Sequence, residues 1–186
     1  MIELGSLSEM MATSPYSDQD IWKNWTRSSS VRRYESGRCT TEELAENMVN
    51  EFELSIIAAE FTEKFRQWPK RTYPGAQLLL KKLASAFHLA CLSNTNQTHW
   101  ESFLCGQEIM AWFGDVFLSH QMGTLKPDEA AFRYVLDNLG VEPGAILFLD
   151  DNPGNVSAAR RMGINAGCAK KSEGVINRLH GLGLNI

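Results

Sequence analysis

Short apolar runs alternate with amphipathic helical segments from Tyr73 onward, and this alternation constrains the fold more than any other feature of the chain. It is typical of βαβ units, in which crossover helices join parallel strands. The candidate strands are the runs 88–92, 116–118, 145–149 and 164–169. The run 145–149 lacks polar alternation, as expected for a strand that is covered on both faces. We therefore predict an α/β core with a Rossmann-like parallel sheet over residues 73–186.

The chain before Tyr73 has a helical pattern instead. Between Ser6 and about Trp68, helix-start signals recur, and Thr40 with Glu43 matches the capping box, in which the two residues bond each other's backbone N–H. Apolar residues follow this box at four-residue spacing, which indicates one buried helix face. We predict a small helical domain over residues 1–72, with the boundary near residue 72.

Composition excludes several classes of protein. A net charge of −4 and a pI near 5.6 leave no broad basic surface, so nucleic acid is not an expected partner. Four cysteines without a C-x-x-C pair indicate a reducing, cytoplasmic compartment. The apolar runs are far shorter than the roughly 20 residues that a membrane-spanning helix needs, so no membrane span is expected.

Polar side chains follow three of the predicted strands. Ser93 and Asn94 follow the first, Lys126 follows the second, and Asp150 with Asp151 follows the third. Because the carboxyl ends of parallel strands share one edge of a sheet, we expect these groups to meet there. Each alone has an ordinary structural explanation: a turn former, a solvated lysine, or the cap of the next helix.

The adjacent acids Asp150 and Asp151 are harder to explain structurally. Like charges this close raise each other's pKa unless a cation compensates. Mg²⁺ is commonly held by one or two carboxylates, waters and a substrate phosphate. A lysine and a hydroxyl at neighbouring strand ends would complete a site for a phosphoryl group. The sequence therefore predicts a magnesium and phosphate site at this edge.

Three motifs carry a family resemblance. SNT at 93–95, LKPD at 125–128 and FLDDNPGNVSAARRMG at 148–163 resemble, in this order, the second, third and fourth motifs of the haloacid-dehalogenase-like (HAD) hydrolase superfamily. The helical segment before Tyr73 resembles the small cap of its subclass I members. The stretch RRYESGRCTTEELAENM at 32–48 is similar to sugar-phosphate phosphatases and to the phosphatase domain of soluble epoxide hydrolases. The resemblance covers nearly the whole chain.

This resemblance implies an activity and a role for each site residue. The activity is Mg²⁺-dependent hydrolysis of a small phosphorylated metabolite through an aspartyl-phosphate. Ser93 and Asn94 would bind the transferring phosphoryl group, and Lys126 would stabilise that group and orient the nucleophile. Asp150 and Asp151 would hold Mg²⁺. Ser93 and Lys126 are thus the expected catalytic residues of this chain.

One element of the resemblance is absent. The superfamily's nucleophile is an aspartate at the end of a first strand, in a phrase like F-D-L-G-G-V, and nothing similar precedes residue 70. That strand lies between the strands that end at Ser93 and Asp150 in the superfamily, so the core's first strand is expected to be missing. The sheet could re-pair across the gap, the N-terminal segment or another chain could fill it, or the start at Met1 is not the natural one. The last option is favoured, and the chain as given is then expected to be inactive.

Two alternatives compete with the phosphatase interpretation. The first is a non-catalytic HAD-like protein that keeps an anion pocket. The second is a phospho-acceptor receiver domain, which also combines acids, a hydroxyl and a lysine; its acids come early in the chain, whereas Asp150 and Asp151 come last. An incomplete sheet also makes strand exchange, and hence a homodimer, conceivable.

Several other polar and aromatic residues are expected to lie outside the site. Asn155 is expected to stabilise the loop after the acids without a catalytic role. His99 is left out because the superfamily mechanism assigns it none. Arg32 and Arg33 could contact an anionic substrate, although a solvated face is the simpler interpretation. The cap aromatics are interpreted as packing rather than as a substrate entrance: Trp22, Trp25, Tyr34 and Trp68.

Overall fold

The computed structural model describes residues 1–184, which form six strands and eleven α-helices. The strands are β1 Ile2–Leu4, β2 Pro69–Thr72, β3 Ala90–Ser93, β4 Asp115–Leu118, β5 Leu147–Asp150 and β6 Asn165–Cys168. The helices are α1 Leu7–Met10, α2 Asp18–Arg27, α3 Ser29–Glu35, α4 Thr41–Glu51, α5 Ala58–Arg66, α6 Ala76–Ala84, α7 Gln97–Ser102, α8 Ser119–Met122, α9 Glu129–Leu139, α10 Pro153–Arg161 and α11 Lys171–His180.

Helices α1 to α5 are called the cap below, and α1 to α4 each begin after a serine or threonine whose side chain caps the helix. The capping box before α4 is confirmed: Thr40 Oγ1 accepts from the Glu43 backbone N–H at 3.2 Å, and Glu43 Oε2 accepts from the Thr40 N–H at 2.8 Å. Ser17 caps α2 with one such bond, because its Oγ accepts from the Asp20 backbone N–H at 3.2 Å. These bonds satisfy backbone donors that would otherwise lack a partner at the start of each helix.

The cap has its own hydrophobic core, drawn from residues 7–68. Phe65 stands at its centre and contacts the rings of Trp25, Trp68 and Tyr34. The interpretation of the cap aromatics as packing is confirmed for these three buried residues, while Trp22 is 48% exposed.

The four strands predicted after residue 73 are confirmed, each within about two residues of its expected limits. Strand β3 pairs in parallel with β4, and β5 pairs in parallel with β6. Helix α10 packs against β5 and β6, where Val156 and Ala159 meet Ala166. This α/β arrangement is the predicted fold class.

Strands β3 and β5 do not hydrogen-bond to each other in the part of the chain that the structure describes. The sheet is therefore two separate parallel pairs, and it does not re-pair across the gap. Met1 packs against the buried leucines of α6 and α11, the same cluster that Leu89 and Leu149 contact. Apolar contacts thus partly occupy the space between the pairs, without a strand ladder.

The short strands β1 and β2 are not among the sequence predictions. They pair antiparallel, with Ile2 opposite Thr72. Trp68 strengthens this ribbon, because its indole N–H donates to Gly5 O at 2.7 Å. The ribbon ties the first residues to the segment where the cap meets the α/β core. No helix within residues 1–184 has the length and apolar character that crossing a membrane requires.

Candidate active site

Lys126 lies at the centre of the polar groups at the sheet edge. Its ammonium is 2.7 Å from Leu92 O and 2.7 Å from Asp150 Oδ2, so it connects the end of β3 with the end of β5. The side chain is only 9% exposed. An ammonium group has three N–H donors, and these two bonds leave one without a partner among residues 1–184. The structure therefore places the predicted lysine against Asp150, the first of the two predicted acids.

Asp150 is held by three donors. Lys126 Nζ binds one carboxylate oxygen, and the Asn152 backbone N–H and the Asn155 side-chain amide bind the other at 2.9 and 3.0 Å. Burial raises the pKa of Asp150. The charge and the hydrogen bond of Lys126, together with the bonds from Asn152 and Asn155, lower it by more, so the pKa lies below the usual range. The aspartate is ionised at neutral pH.

The structure identifies a compensating cation for the adjacent acids. Lys126 neutralises Asp150 directly, while Asp151 is exposed to solvent. Lys126 thus offsets part of the repulsion between the two acids, for which the sequence alone suggests a metal.

The donor set can nevertheless accommodate Mg²⁺. Within residues 1–184, no third carboxylate, histidine or cysteine joins Asp150 and Asp151 in a cluster. Two carboxylates match a hydrated Mg²⁺ that keeps several waters and binds a substrate phosphate. They do not match an ion held by protein ligands alone. The exposed position of Asp151 leaves room for such waters.

Ser93 ends β3 and is half-buried. Its backbone pairs with Leu118 of β4, which fixes its place at the sheet edge. The loop after it is fixed by Ser119, a residue that the sequence analysis does not select. Ser119 Oγ donates to Thr95 O at 2.8 Å and accepts from the Thr95 N–H at 2.9 Å, fully buried. A serine directly after a strand is common in turns, so its pattern gives no signal.

Asn94 connects the end of β3 to the backbone of Lys126. Its side-chain amide donates to Lys126 O at 2.8 Å, and its side-chain oxygen accepts from the Lys126 N–H at 2.9 Å. Both polar groups are therefore engaged by the lysine backbone, and the side chain positions Lys126. Asn155 is also a positioning residue, as predicted, since its amide holds the Asp150 carboxylate.

The C-terminal end of α3 and the turn after it attach the cap to the α/β core. The Tyr34 hydroxyl lies 2.6 Å from Thr98 Oγ1, and an Arg38 guanidinium N–H donates to Gly123 O at 3.0 Å. Arg32 forms an ion pair with Asp128, two residues after Lys126. Arg32 therefore contacts the core rather than standing in solvent alone.

Glu35, the last residue of α3, is a second residue that the sequence analysis does not select. Burial raises its pKa to about 7, against the opposing effects of Arg32 and Lys126. A lone glutamate in a charged stretch gives no sequence signal for such a position.

His99 is a structural residue at the junction of cap and core. Its Nε2–H donates to Phe65 O at 2.7 Å, its ring lies 4.2 Å from the Phe65 ring, and Nδ1 lies 3.1 Å from the Asn96 amide. Burial lowers the pKa of His99 to about 4, although its bond to the Phe65 carbonyl raises it. The neutral imidazole is bonded on both sides, in agreement with its omission from the site.

Comparison with known proteins adds independent findings. A family model described as haloacid dehalogenase-like hydrolase matches residues 13–163. Flavin mononucleotide hydrolase 1 of Arabidopsis thaliana is 30% identical over 158 residues, which are 82% of this chain and 62% of that protein. The chain thus spans about three fifths of the length of this relative.

Solved structures share the fold. A predicted HAD-like family hydrolase from Porphyromonas gingivalis has a TM-score of 0.79 at 25% identity, covering 100% of this chain and 93% of that one. The HAD family enzyme bt-2542 of Bacteroides thetaiotaomicron, in complex with magnesium and inorganic phosphate, has a TM-score of 0.74 at 22% identity, covering 92% and 90%. The family match over most of the chain and this shared fold lead to one conclusion: the protein belongs to the haloacid dehalogenase-like hydrolase family.

Proposed function

We propose that the protein contains the active site of a Mg²⁺-dependent phosphatase that acts on a small phosphorylated metabolite. The observation that carries this proposal is the position of Lys126, whose buried ammonium is 2.7 Å from both Leu92 O and Asp150 Oδ2. A buried cation beside a strand-end hydroxyl and two carboxylates suits a phosphoryl group, which carries negative charge and accepts several hydrogen bonds. The flavin mononucleotide hydrolase and the magnesium and phosphate complex of bt-2542 support this class of chemistry.

Each site residue has a role in this proposal. The Ser93 hydroxyl and the free N–H of Lys126 donate hydrogen bonds to phosphoryl oxygens. Asp150 and Asp151 would hold Mg²⁺, which when bound neutralises charge on those oxygens. Asn94 and Asn155 position Lys126 and Asp150 through the bonds described above.

The attacking carboxylate is a separate part of the proposal. Asp150 is a poor nucleophile, because three donors occupy its two oxygens. By resemblance to the superfamily, the nucleophile is an aspartate at the end of a strand between β3 and β5. We propose that turnover requires such a strand, which would pair with their free edges. Without it, the chain binds phosphate and does not hydrolyse the ester. A second copy of the chain that supplied a strand here would make a homodimer.

A non-catalytic anion-binding protein is the second candidate. The three donors bound to Asp150 favour it, because they make this carboxylate part of the framework of the pocket. Such a protein binds phosphate with or without an added strand, and it shows no turnover in either form.

Hydrolysis of p-nitrophenyl phosphate in Mg²⁺ separates the two candidates. The chain is assayed as it stands and with an N-terminal extension that encodes a strand ending in F-D-L-G-G-V. A phosphatase gains Mg²⁺-dependent turnover from the extension and loses it when the added aspartate is changed to asparagine. A binding protein gains none. Turnover by the unextended chain that survives Asp150→Ala would contradict the proposed mechanism.

A further inference from the structure

We propose that a cavity between β6, α10 and the end of α11 is a second binding site, separate from the candidate active site. Its ligand is a small organic anion with an aliphatic body, such as a carboxylate on a short hydrocarbon chain. This site goes beyond the proposed phosphatase function and does not depend on it.

The cavity lies at the opposite edge of the sheet from the candidate active site. Its walls include Leu147 and Asn165, the first residues of β5 and β6, whereas Asp150 is the last residue of β5. Three residue steps along a strand span about 10 Å. The cavity has a volume of about 540 Å³, which falls in the range of roughly 300 to 1,000 Å³ that is common for small-molecule sites.

Two arginines give the cavity a positive charge. Arg160 and Arg178 lie in its walls, and none of the residues that line it is acidic. Arg160 donates from Nε and from a terminal nitrogen to Ala166 O, at 3.0 and 2.8 Å. No hydrogen bond or ion pair joins Arg178 to another residue within 1–184. Because a guanidinium group offers parallel N–H donors, it fits a carboxylate or a phosphate group.

The place of Arg178 is set by a glycine of β6. A Cβ at Gly167 would lie 2.5 Å from Arg178 Nε, so the guanidinium packs closely against the strand only because residue 167 has no side chain. Arginines at the free edge of a strand also hinder its pairing with other chains. Arg160 accounts for that role, since it covers an edge carbonyl. The N–H groups of Arg178 are not used in this way, and a ligand can accept from them.

The apolar part of the cavity favours an organic anion over an inorganic one. Leu147 and Leu182 line it and are 36% and 51% exposed, and the buried Ile164 adjoins them. Apolar surface next to two guanidinium groups matches a ligand with a charged end and an aliphatic body, because burying that body contributes to binding. Charge and shape together therefore define the ligand class.

NMR titration of the full chain with hexanoate, acetate and hexan-1-ol tests the inference. We expect hexanoate to shift the amide resonances of Gly163, Ala166 and Gly167. It should bind about tenfold more tightly than acetate, as for the burial of roughly two methylene groups. It should also bind about tenfold more tightly than hexan-1-ol, which has the same chain without the charge. Neither preference should require Mg²⁺.

Two variants test the role of the guanidinium group. Arg178→Met removes the charge and keeps an apolar side chain, so hexanoate affinity should fall about tenfold while hexan-1-ol affinity stays within about twofold. Gly167→Ala should also weaken hexanoate, because the new methyl group displaces the flexible end of Arg178. Gly144→Ala, where nothing lies within 4 Å of the Cβ position, and Arg66→Met, at an exposed position, should leave both affinities unchanged.

Three results would overturn the inference. The first is equal affinity for hexanoate and hexan-1-ol in the wild type. The second is wild-type affinity for hexanoate in both Arg178→Met and Gly167→Ala. The third is a set of hexanoate-induced shifts centred on Ser93, Lys126 and Asp150, which would place the anion in the candidate active site. Affinity for inorganic phosphate in Mg²⁺ should stay within about twofold in Arg178→Met, so the two sites are tested separately.

Discussion

The ammonium of Lys126 and the carboxylate of Asp150 lie 2.7 Å apart with side-chain exposures of only 9% and 8%. The pair joins two parallel strand pairs that share no backbone hydrogen bonds with each other in residues 1–184. It therefore connects the two halves of the sheet edge at the point where the candidate site lies.

Breaking this ion pair should destabilise the fold strongly. In Lys126→Met, the buried Asp150 loses its cation, and we expect the free energy of unfolding to fall by about 3 kcal/mol. Asp150→Leu should cost a similar amount, because it leaves the lysine buried and unpaired. Urea denaturation measures both changes.

The double variant tests whether the two effects are coupled. Lys126→Met with Asp150→Leu removes both charges at once, so it should be more stable than the sum of the single losses predicts, by about 1 kcal/mol or more. Lys170→Met, at an exposed position, should change stability little. Strict additivity of the two single changes would show that the side chains do not interact as described.

Acid should weaken the junction of cap and core through His99. Burial lowers its folded-state pKa to about 4, whereas an unfolded histidine titrates near 6.5. Between these values the unfolded chain binds the proton and the folded chain does not, so stability falls as the pH falls from about 6.5 through 4. The pKa itself is measured by NMR titration of the imidazole.

Variants distinguish this effect from general acid unfolding. His99→Gln should be less stable than the wild type at pH 7, and the difference should shrink toward pH 4. His180→Gln, an exposed histidine, should run parallel to the wild type. An imidazole of His99 that titrates near 6.5 in the folded protein would contradict its buried position.

Gly37 packs against the backbone of His120 where the cap meets the core, and we expect that no side chain can replace its hydrogen. A Cβ there would lie 2.2 Å from His120 O, and the residue has a φ of +69°. Gly140 has a similar φ of +64° with nothing within 4 Å of its Cβ position. Both alanine substitutions carry the backbone cost of about 1 kcal/mol, and only Gly37→Ala adds the clash.

The matched pair isolates the contact. Thermal unfolding should show a clearly larger loss for Gly37→Ala than for Gly140→Ala. Gly37→Ala should also bind inorganic phosphate more weakly, because the added methyl group moves the end of α3 away from the core. Equal losses for the two variants would mean that the cap does not rest on His120 in solution.

The loop after β3 should depend on Ser119. Its hydroxyl serves both the N–H and the carbonyl of Thr95 in a fully buried place, so Ser119→Ala leaves two backbone groups without partners. We expect a loss of about 2 kcal/mol in unfolding free energy and weaker phosphate binding. Ser85→Ala, at an exposed helix end, should have little effect on either measurement.

Local patterns predict much of the α/β core. The runs that became β3 and β5 are apolar and end in polar residues, so both their existence and the meeting of Lys126 with Asp150 follow from the geometry of parallel sheets. The strand β2 reads Pro-Lys-Arg-Thr, which has no apolar alternation. It forms through pairing with β1, more than 60 residues away in sequence, and only the folded chain reveals that partner.

The same distinction applies to the site. Residue type and position at a strand end identify Ser93, Lys126 and the two acids. The two hydrogen bonds between the Asn94 side chain and the Lys126 backbone depend on contacts between distant segments. No residue spacing encodes such contacts, so the sequence does not reveal that the Asn94 side chain holds the Lys126 backbone.

Calorimetric titration of inorganic phosphate into the chain, with and without Mg²⁺, tests the central claim most directly. If Ser93, Lys126, Asp150 and Asp151 form one phosphate and metal site, Mg²⁺ should tighten phosphate binding by at least about tenfold, since the ion and the anion attract each other in a shared pocket. Asp151→Asn, at an exposed position that should not disturb folding, should remove most of this enhancement. Phosphate affinity that is equal with and without Mg²⁺, or unchanged in Asp151→Asn, would contradict the account.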